Sequence, residues 1–359
     1  MRVRLIDLDR LHAPIRAELD AAIARVIDSG RFVLGPEVAA FEQEIAAFTG
    51  VADAVAVSSG SDAILCGLWA DGIGQGDEVL TPAFSFAAAA EAIARLGARP
   101  VFADVDENVC LDASSARARV TPRTRAIVAV DLFGRRADVA ELTALGLPVH
   151  EDAAQAIGAP HIARAVRAAA VSFFPTKNLG ALGDGGVVLT EHADLADSVR
   201  LLRAHGAKTK YVHERVGWNM RLDELQAAVL RAKLSHLRAW NEARRRTAAS
   251  YRDGLSGIAE LELPRGDEGH VWHQFVVMIE GCRDALRAHL AERGVETEIY
   301  YPLALHLQPC FAALGGRAGE FPRAERACRR ALALPIHPML RSDEISYVVD
   351  ALRSFFGAR

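Results

Sequence analysis

Ser172-Phe173-Phe174-Pro175-Thr176-Lys177-Asn178-Leu179-Gly180 places one lysine between a short apolar strand and the glycine-rich run Gly183-Asp184-Gly185-Gly186. A lysine in such a position is ordinarily solvated, since lysine is rarely buried. Here the apolar flanks and an upstream carboxylate at Asp152 favour another interpretation. Apolar surroundings disfavour the ammonium form and lower its pKa, and a lysine must lose its proton to attack an aldehyde. The stretch therefore predicts a lysine that forms a Schiff base.

Outward from this stretch, short apolar strands alternate with helical patterns. Continuous apolar strands in such an alternation are typical of a mostly parallel sheet covered by helices on both faces. Strands are predicted at 54–59, 77–81, 100–104, 126–132, 148–151, 169–173 and 186–189, and helices at 35–50, 62–70 and 87–96. The sequence therefore predicts an α/β fold in which Lys177 follows a strand of the sheet.

The last third of the chain has a different pattern. One long amphipathic helix is predicted at 224–255, where apolar residues recur at helical spacing. Beyond it, a mixed α+β pattern is predicted, with strands at 271–279 and 296–300 and helices at 283–293, 324–331 and 343–355. We therefore expect a large ligand-binding domain over residues 1–240, including the N-terminal helices, and a small C-terminal domain over residues 241–359.

The composition limits the function. The 359 residues carry a net charge of −4 with arginine and acid interspersed, so neither nucleic acid nor an anionic membrane is an expected partner. The five cysteines include no C-x-x-C pair, which favours a reducing setting without disulfides. The histidines form no ligand cluster, and no apolar run has membrane-spanning length. We expect a cytoplasmic protein without a metal site or a membrane anchor.

A second stretch, Ser58-Ser59-Gly60-Ser61-Asp62-Ala63, falls where a strand turns into a helix. Free backbone N–H groups there suit a phosphate monoester, although many such junctions are only serine-capped turns. Asp152 ends another apolar strand, where it could face a ligand or cap the next turn. Phe86 could cover a flat ring, and Ser172 could add a hydroxyl to the phosphate site. Together with the lysine, these features specify pyridoxal 5′-phosphate.

These motifs resemble those of the DegT/DnrJ/EryC1/StrS family of sugar aminotransferases, which are fold-type I pyridoxal-phosphate enzymes. The resemblance runs from about Ser29 to Pro338. It implies a large domain with a mostly parallel seven-stranded sheet and a smaller C-terminal α+β domain. Besides the two stretches quoted above, its markers are the runs 30–37, 151–155, 217–226, 300–302 and 306–309.

The resemblance also implies roles for the matching residues. Lys177 would bind the cofactor and shuttle the substrate proton, while Asp152 would pair with the ring nitrogen. Phe86 would stack on the ring, and Gln155 would lie near its hydroxyl group. The phosphate would be held by Gly60, Ser61, Asp62 and Ser172 and by Asn219 of the partner subunit, so the shared active site would need a homodimer.

The implied reaction moves an amino group from L-glutamate to a nucleotide-diphosphate-linked keto (6-deoxy)hexose at C-3. It would release 2-oxoglutarate and follow ping-pong kinetics, with Tyr301 and His306 towards the sugar. Two departures lie near the sugar end of the pocket. The chain has Asp131-Leu132-Phe133-Gly134 where the family commonly has His-Leu-Tyr-Gly, and residues 159–168 lack the usual glycine-containing turn. The alternatives are a keto-cyclitol aminotransferase and a non-catalytic, cofactor-binding family member.

Overall fold

A seven-stranded sheet lies at the centre of the computed structural model, which describes residues 1–267 and 269–357. Its strands are β1 (Asp53–Val57), β2 (Glu78–Pro82), β3 (Arg99–Ala103), β4 (Thr124–Val130), β5 (Val149–Asp152), β6 (Ala168–Ser172) and β7 (Gly186–Thr190). Across the sheet their order is β1-β7-β6-β5-β4-β2-β3. β7 runs antiparallel to both of its neighbours, whereas the other adjacent pairs are parallel. Each strand lies within two residues of its predicted position, so the predicted sheet is confirmed.

Helices cover the sheet and extend beyond it. The described residues form α1 (Leu8–His12), α2 (Arg16–Ser29), α3 (Pro36–Thr49), α4 (Gly60–Ala70), α5 (Ala88–Arg95), α6 (Ala113–Arg117), α7 (Val139–Thr143), α8 (Ala193–Leu202), α9 (Glu224–Leu234), α10 (Leu237–Gly254), α11 (Arg283–Glu292), α12 (Pro322–Arg330) and α13 (Ser342–Phe356). The helices predicted at 35–50, 62–70 and 87–96 correspond to α3, α4 and α5. None of the described helices combines the length and the apolar character needed to cross a bilayer.

The strand side chains alternate between two apolar layers. In β1, Val55 and Val57 pack into the layer that contains α4 and α5. Ala54 and Ala56 face the opposite layer, which contains α3 and α9. Because both faces are buried, the strands are continuously apolar. The parallel strands β4, β5 and β6 end at the same edge of the sheet, and the residues that follow them therefore meet there.

The prediction of a single long helix at 224–255 is wrong, because α9 ends at Leu234 and a separate helix, α10, begins at Leu237. At the junction Ser235 Oγ donates to the Ala232 carbonyl at 2.9 Å, and the His236 N–H bonds to the Lys233 carbonyl at 3.0 Å. These contacts span three residues and replace the four-residue spacing of an α-helix. The apolar pattern runs through the junction without interruption, so it concealed the break.

The remaining strands form two small sheets. A hairpin pairs β8 (Ala207–Thr209) with β9 (Val212–His213), and an antiparallel sheet contains β10 (Leu261–Glu262), β11 (Phe275–Ile279) and β12 (Ala331–Leu334) in the order β10-β11-β12. The helices α11, α12 and α13 confirm the three predicted in this part of the chain. Helix α11, α13 and the buried faces of β11 and β12 share one apolar cluster, which gives the C-terminal part an α+β architecture.

Two predicted strands in this part need correction. The strand predicted at 271–279 begins only at Phe275, because the N–H groups of Val271 and Gln274 bond to the carbonyls of Gly134 and Phe133 instead of a neighbouring strand. The segment 296–300 is not a strand. Its backbone forms a single bridge, between Glu298 and Ala333, and is otherwise held partly by the N-terminal residue 3.

The predicted division after residue 240 falls within α10. The N-terminal residue Val3 pairs with Val295, far along the chain, and packs into the C-terminal apolar cluster. The first residues of the chain therefore join the C-terminal part, although the prediction grouped them with the large domain. The division into domains at 1–240 and 241–359 stays a prediction.

Candidate active site

A cavity of about 470 Å³ opens at the edge of the sheet where β4, β5 and β6 end. Val130, Asp152 and Ser172 are the last residues of those three strands, and all three line it. Lys177 lines it as well, five residues beyond the end of β6. The volume is typical of a pocket for a small organic ligand. The structure thus brings the predicted lysine and the predicted carboxylate together in one pocket.

The first helix turn of α4 forms one end of this cavity. Ser59 Oγ caps the helix by accepting the Asp62 N–H at 3.1 Å, and Gly60 and Ser61 line the cavity. A Cβ at Gly60 would lie 2.5 Å from the Cβ of Ser172, so only glycine allows the helix to approach β6 this closely. Ser61 and Ser172 therefore line the cavity beside the N-terminus of a helix, which favours an anion.

Asp62 has a different place from the one predicted for a phosphate ligand. Its carboxylate accepts the Ser58 hydroxyl at 2.6 Å and lies 3.6 Å from Arg95. It does not line the cavity, and a carboxylate would repel a phosphate. Its backbone N–H is the group bonded to Ser59. The Asp62 side chain therefore supports the turn, and a part for Asp62 in holding the phosphate stays a prediction.

The electrostatics at the centre of the cavity suit an amine nucleophile. Burial lowers the pKa of Lys177 to about 8, and the nearby Asp152 carboxylate opposes that shift. Burial also raises the pKa of Asp152, against the stabilising effects of the Ala154 N–H and of the Lys177 ammonium. Each charge therefore stabilises the other in a place that disfavours both.

The alternative role of Asp152, as a turn cap, is also present. One of its oxygens, Oδ1, accepts the Ala154 N–H at 3.2 Å, and no helix follows. The described structure gives the second oxygen no hydrogen-bond donor, while the residue lines the cavity. A single carboxylate can thus cap the turn and still offer an oxygen to a ligand.

Aromatic and amide groups form the wall beside this pair. Phe86 lines the cavity with 55% of its surface exposed, and its ring centroid lies 6.2 Å from that of Tyr301. Gln155 accepts the Phe133 N–H at 2.6 Å and donates to the Tyr301 hydroxyl at 3.3 Å. The predicted residues Phe86, Gln155 and Tyr301 therefore lie in the same pocket as Lys177.

Besides Asp62, two predicted residues, Asn219 and His306, do not line this cavity. Asn219 is exposed and accepts a hydrogen bond from Arg221 Nε at 2.8 Å. His306 is buried 3.2 Å from Glu325, and it lines a separate cavity of about 100 Å³. The side chain is enclosed between its own turn, 305–307, and α12, and its predicted place towards the sugar stays a prediction.

Sequence reasoning missed His273 and Gln274, which also line the cavity. His273 is 5% exposed, and burial lowers its pKa well below the usual value. Both residues precede β11 and reach the pocket because the backbone there bonds to the Phe133–Gly134 turn. No local motif marks them, since the contact joins parts of the chain that are far apart in sequence.

The sequence profile of the DegT/DnrJ/EryC1/StrS aminotransferase family matches residues 14–353. A dTDP-3-amino-3,4,6-trideoxy-alpha-D-glucose transaminase of Streptomyces venezuelae is 46% identical over 365 residues, which cover 99% of this chain and 96% of that protein. A pleiotropic regulatory protein of Geobacillus stearothermophilus is 44% identical over 369 residues, which cover 99% of each. The crystal structure of S. venezuelae DesV in complex with a ketimine intermediate has 44% identity and a TM-score of 0.97, and the match covers 100% of this chain and 99% of that one.

Proposed function

Because the chain belongs to the DegT/DnrJ/EryC1/StrS aminotransferase family, we propose that it transfers an amino group to a keto sugar carried on a nucleotide. It is a pyridoxal-phosphate-dependent enzyme. The observation that carries the proposal is Lys177, with its lowered pKa, beside Asp152 in a cavity that ends in an anion-binding helix turn. When bound, the cofactor supplies an aldehyde for an amine and an electron-withdrawing ring.

The residues present fit this cofactor. The N-terminus of α4, with Ser61 and Ser172, would hold the phosphate, and the missing Cβ of Gly60 allows Ser172 to approach that helix end. The free oxygen of Asp152 would hold a proton on the ring nitrogen, because an ionised carboxylate stabilises a nearby positive charge. Phe86 would cover one face of the ring.

Lys177 is suited to move the substrate proton. With a pKa of about 8, roughly one side chain in ten is neutral at pH 7, far more than for a solvated lysine. The neutral amine can accept a proton from the substrate carbon and return it to another atom. Asp152 lies close enough to stabilise the ammonium that forms in between. The apolar wall of Val130 and Ile64 limits water around this exchange.

For the substrates, we propose L-glutamate as the amino donor and C-3 of a 6-deoxy keto hexose as the acceptor position. The relative from S. venezuelae is named for a 3-amino sugar linked to dTDP, which supports the position and the nucleotide class. Glutamate would leave as 2-oxoglutarate before the sugar enters. The two substrates would then use the same cavity in turn, which gives ping-pong kinetics.

We also propose a homodimer in which Asn219 of the partner subunit completes the phosphate site. Asn219 is exposed in the single chain, close in sequence to apolar side chains that are exposed as well. Large exposed apolar groups mark interaction surfaces on soluble proteins. The exposed large apolar side chains include Tyr211, Val212 and Val216, close to Asn219 in sequence, and Phe32, Val33, Leu34 and Leu182 elsewhere in the chain. Such an enzyme would work in the cytoplasm, where its free cysteines stay reduced.

Mixed subunits test the shared site. Lys177→Ala and Asn219→Ala should each abolish or strongly reduce turnover alone. When they are mixed, half of the dimers combine one chain of each kind, and each of these has one intact site of two. About a quarter of the wild-type activity should therefore return. No recovery in subunits shown to exchange would contradict a site shared in this way.

A second function deserves a test because one relative is named a pleiotropic regulatory protein. A regulatory, non-catalytic role predicts no response to an amino donor. The absorption spectrum of the holoenzyme before and after L-glutamate separates the two, since amination of the cofactor bleaches its visible band. Acceptor assays with dTDP- and UDP-linked 3-keto sugars and with an inosose then decide between a sugar and a keto-cyclitol. Loss of the band without any acceptor turnover would contradict the sugar proposal.

A further inference from the structure

A buried chain of hydrogen bonds determines which ring nitrogen of His273 carries the proton. It begins at the Ile157 carbonyl, which accepts from Asn241 Nδ2 at 3.0 Å. The oxygen of Asn241 then accepts from Asn178 Nδ2 at 2.8 Å, and the same Nδ2 donates to the Val271 carbonyl at 3.0 Å. Because backbone carbonyls only accept, both amides have a single satisfied orientation.

This orientation leaves only the oxygen of Asn178 for the histidine. Asn178 Oδ1 lies 3.2 Å from His273 Nδ1, and an amide oxygen can only accept. The proton therefore sits on Nδ1, and in the neutral ring Nε2 carries a free lone pair. Burial and the nearby positive charges of Lys177 and Arg244 keep the ring neutral, since they lower its pKa.

The free nitrogen belongs to a ring that lines the active-site cavity and is only 5% exposed. Nε2 has no hydrogen-bond partner within residues 1–267 and 269–357. An acceptor without a partner on a mostly buried side chain is expected to find one in the ligand. The group that fits is an O–H or N–H donor.

Gln274, the next residue, also lines the cavity, and its amide oxygen Oε1 has no hydrogen-bond partner. That oxygen is fully enclosed in the described structure, so a ligand would reach it only after the side chain moved. His273 Nε2 is therefore the acceptor that these two residues offer directly to the pocket.

We propose that His273 Nε2 accepts a hydrogen bond from a hydroxyl group of the keto sugar. The assignment rests on the proposed function. Sugar hydroxyls are neutral donors, which a neutral acceptor matches. Glutamate instead presents two carboxylates, which an acceptor would repel, and its one ammonium group carries the nitrogen that is transferred. This acceptor therefore serves the sugar half of the reaction and not the glutamate half.

Two variants at position 273 separate the ring nitrogens. In His273→Asn the short amide can still donate to Asn178 but does not reach the place of Nε2. In His273→Gln the longer amide reaches that place and gives up the contact with Asn178. We expect His273→Asn to raise the KM for the keto sugar about three- to tenfold, the usual worth of one hydrogen bond. The rate at which glutamate bleaches the cofactor band should stay within about twofold. His273→Gln should recover most of the sugar affinity.

A measurement without turnover tests the same assignment. In protein labelled with ¹⁵N-histidine, long-range ¹H–¹⁵N correlation distinguishes protonated from unprotonated ring nitrogens, and His273→Asn identifies the signal. We expect a protonated Nδ1 and an unprotonated Nε2, with Nε2 shifting when the sugar binds. A proton on Nε2, or equal slowing of both half-reactions in His273→Asn, would overturn the proposal. A wild-type enzyme that aminates no keto sugar would instead contradict the proposed function.

Discussion

Replacing Gly60 with alanine tests the phosphate cradle, and Gly67 on the same helix provides a matched control. At position 60 a Cβ would lie 2.5 Å from the Cβ and 3.0 Å from the Cα of Ser172. At position 67 the nearest atom, His150 Nδ1, is 3.5 Å away. Carbon atoms pack at about 3.5–4.0 Å, so position 60 requires a displacement of about 1 Å. Because one obstructing atom is backbone, no change of rotamer can provide it.

We expect the first turn of α4 to move away from β6 in Gly60→Ala. Its N–H groups and Ser61 would then withdraw from the phosphate, and overpacking of this kind costs about 1–3 kcal/mol. If the whole cost falls on the bound state, the dissociation constant for the cofactor rises about 5- to 150-fold. Gly67→Ala should leave the affinity unchanged and stabilise the helix by up to about 1 kcal/mol, since alanine is the better helix former.

The assay is a fluorescence titration of the cofactor-free protein with pyridoxal phosphate, for the wild type and both variants. Unfolding in urea provides the free energy of each cofactor-free protein. The reasoning is refuted if Gly60→Ala binds the cofactor as tightly as the wild type. An equal loss of affinity in Gly67→Ala would also refute it, because the effect would then come from the helix in general.

Three further predictions concern Lys177, Asp152 and the buried Asp131. Lys177→Ala should abolish transamination without lowering the melting temperature, because a desolvated amine is removed; wild-type turnover would contradict its assigned role. Asp152→Asn should retain the cofactor in an absorption assay but lose most turnover, since a neutral amide stabilises the ring proton poorly. Near-normal rates in this variant would mean that Asp152 serves only as a turn cap. Burial and the nearby Glu151 raise the pKa of Asp131 well above its usual range. The folded protein therefore binds this proton more tightly than the unfolded chain does. The resulting contribution to the free energy of unfolding is present at low pH and is lost as the pH rises. Asp131→Asn should therefore match the wild type near pH 3 and exceed it in urea stability at neutral pH; a gain confined to low pH would contradict this sign.

The sequence predicted the parts of the structure whose causes are local. The seven strands were recognised because each is a short apolar run with a turn at its end, and Lys177 because its flanking residues are distinctive. The break after Ser235 was missed because it depends on a side-chain hydrogen bond that leaves the apolar pattern intact. His273 was missed because its place depends on backbone bonds to the Phe133–Gly134 turn.

The surroundings of His306 could not be read from the sequence for a similar physical reason. His306 lies five residues after Tyr301. This closeness in sequence suggested that both side chains face the same pocket. In the structure Tyr301 lines the cavity, whereas His306 lies against Glu325 on α12. A bend of the chain between them separates two residues that sequence alone groups together. The residue types therefore predicted the chemistry of the site well, but they did not predict which way each side chain points.

The bonds between the Phe133–Gly134 turn and residues 271–274 have a consequence for synthesis on the ribosome. The emerging chain can assemble β1 to β7 before the C-terminal third is translated, but the pocket then lacks one wall. Closing it joins segments far apart in sequence, and such contacts form slowly because of the loop entropy they must overcome. A half-made protein would therefore expose the apolar lining of the pocket to solvent. We expect this nascent species to be the one that chaperones bind and that aggregates when translation stalls before residue 271.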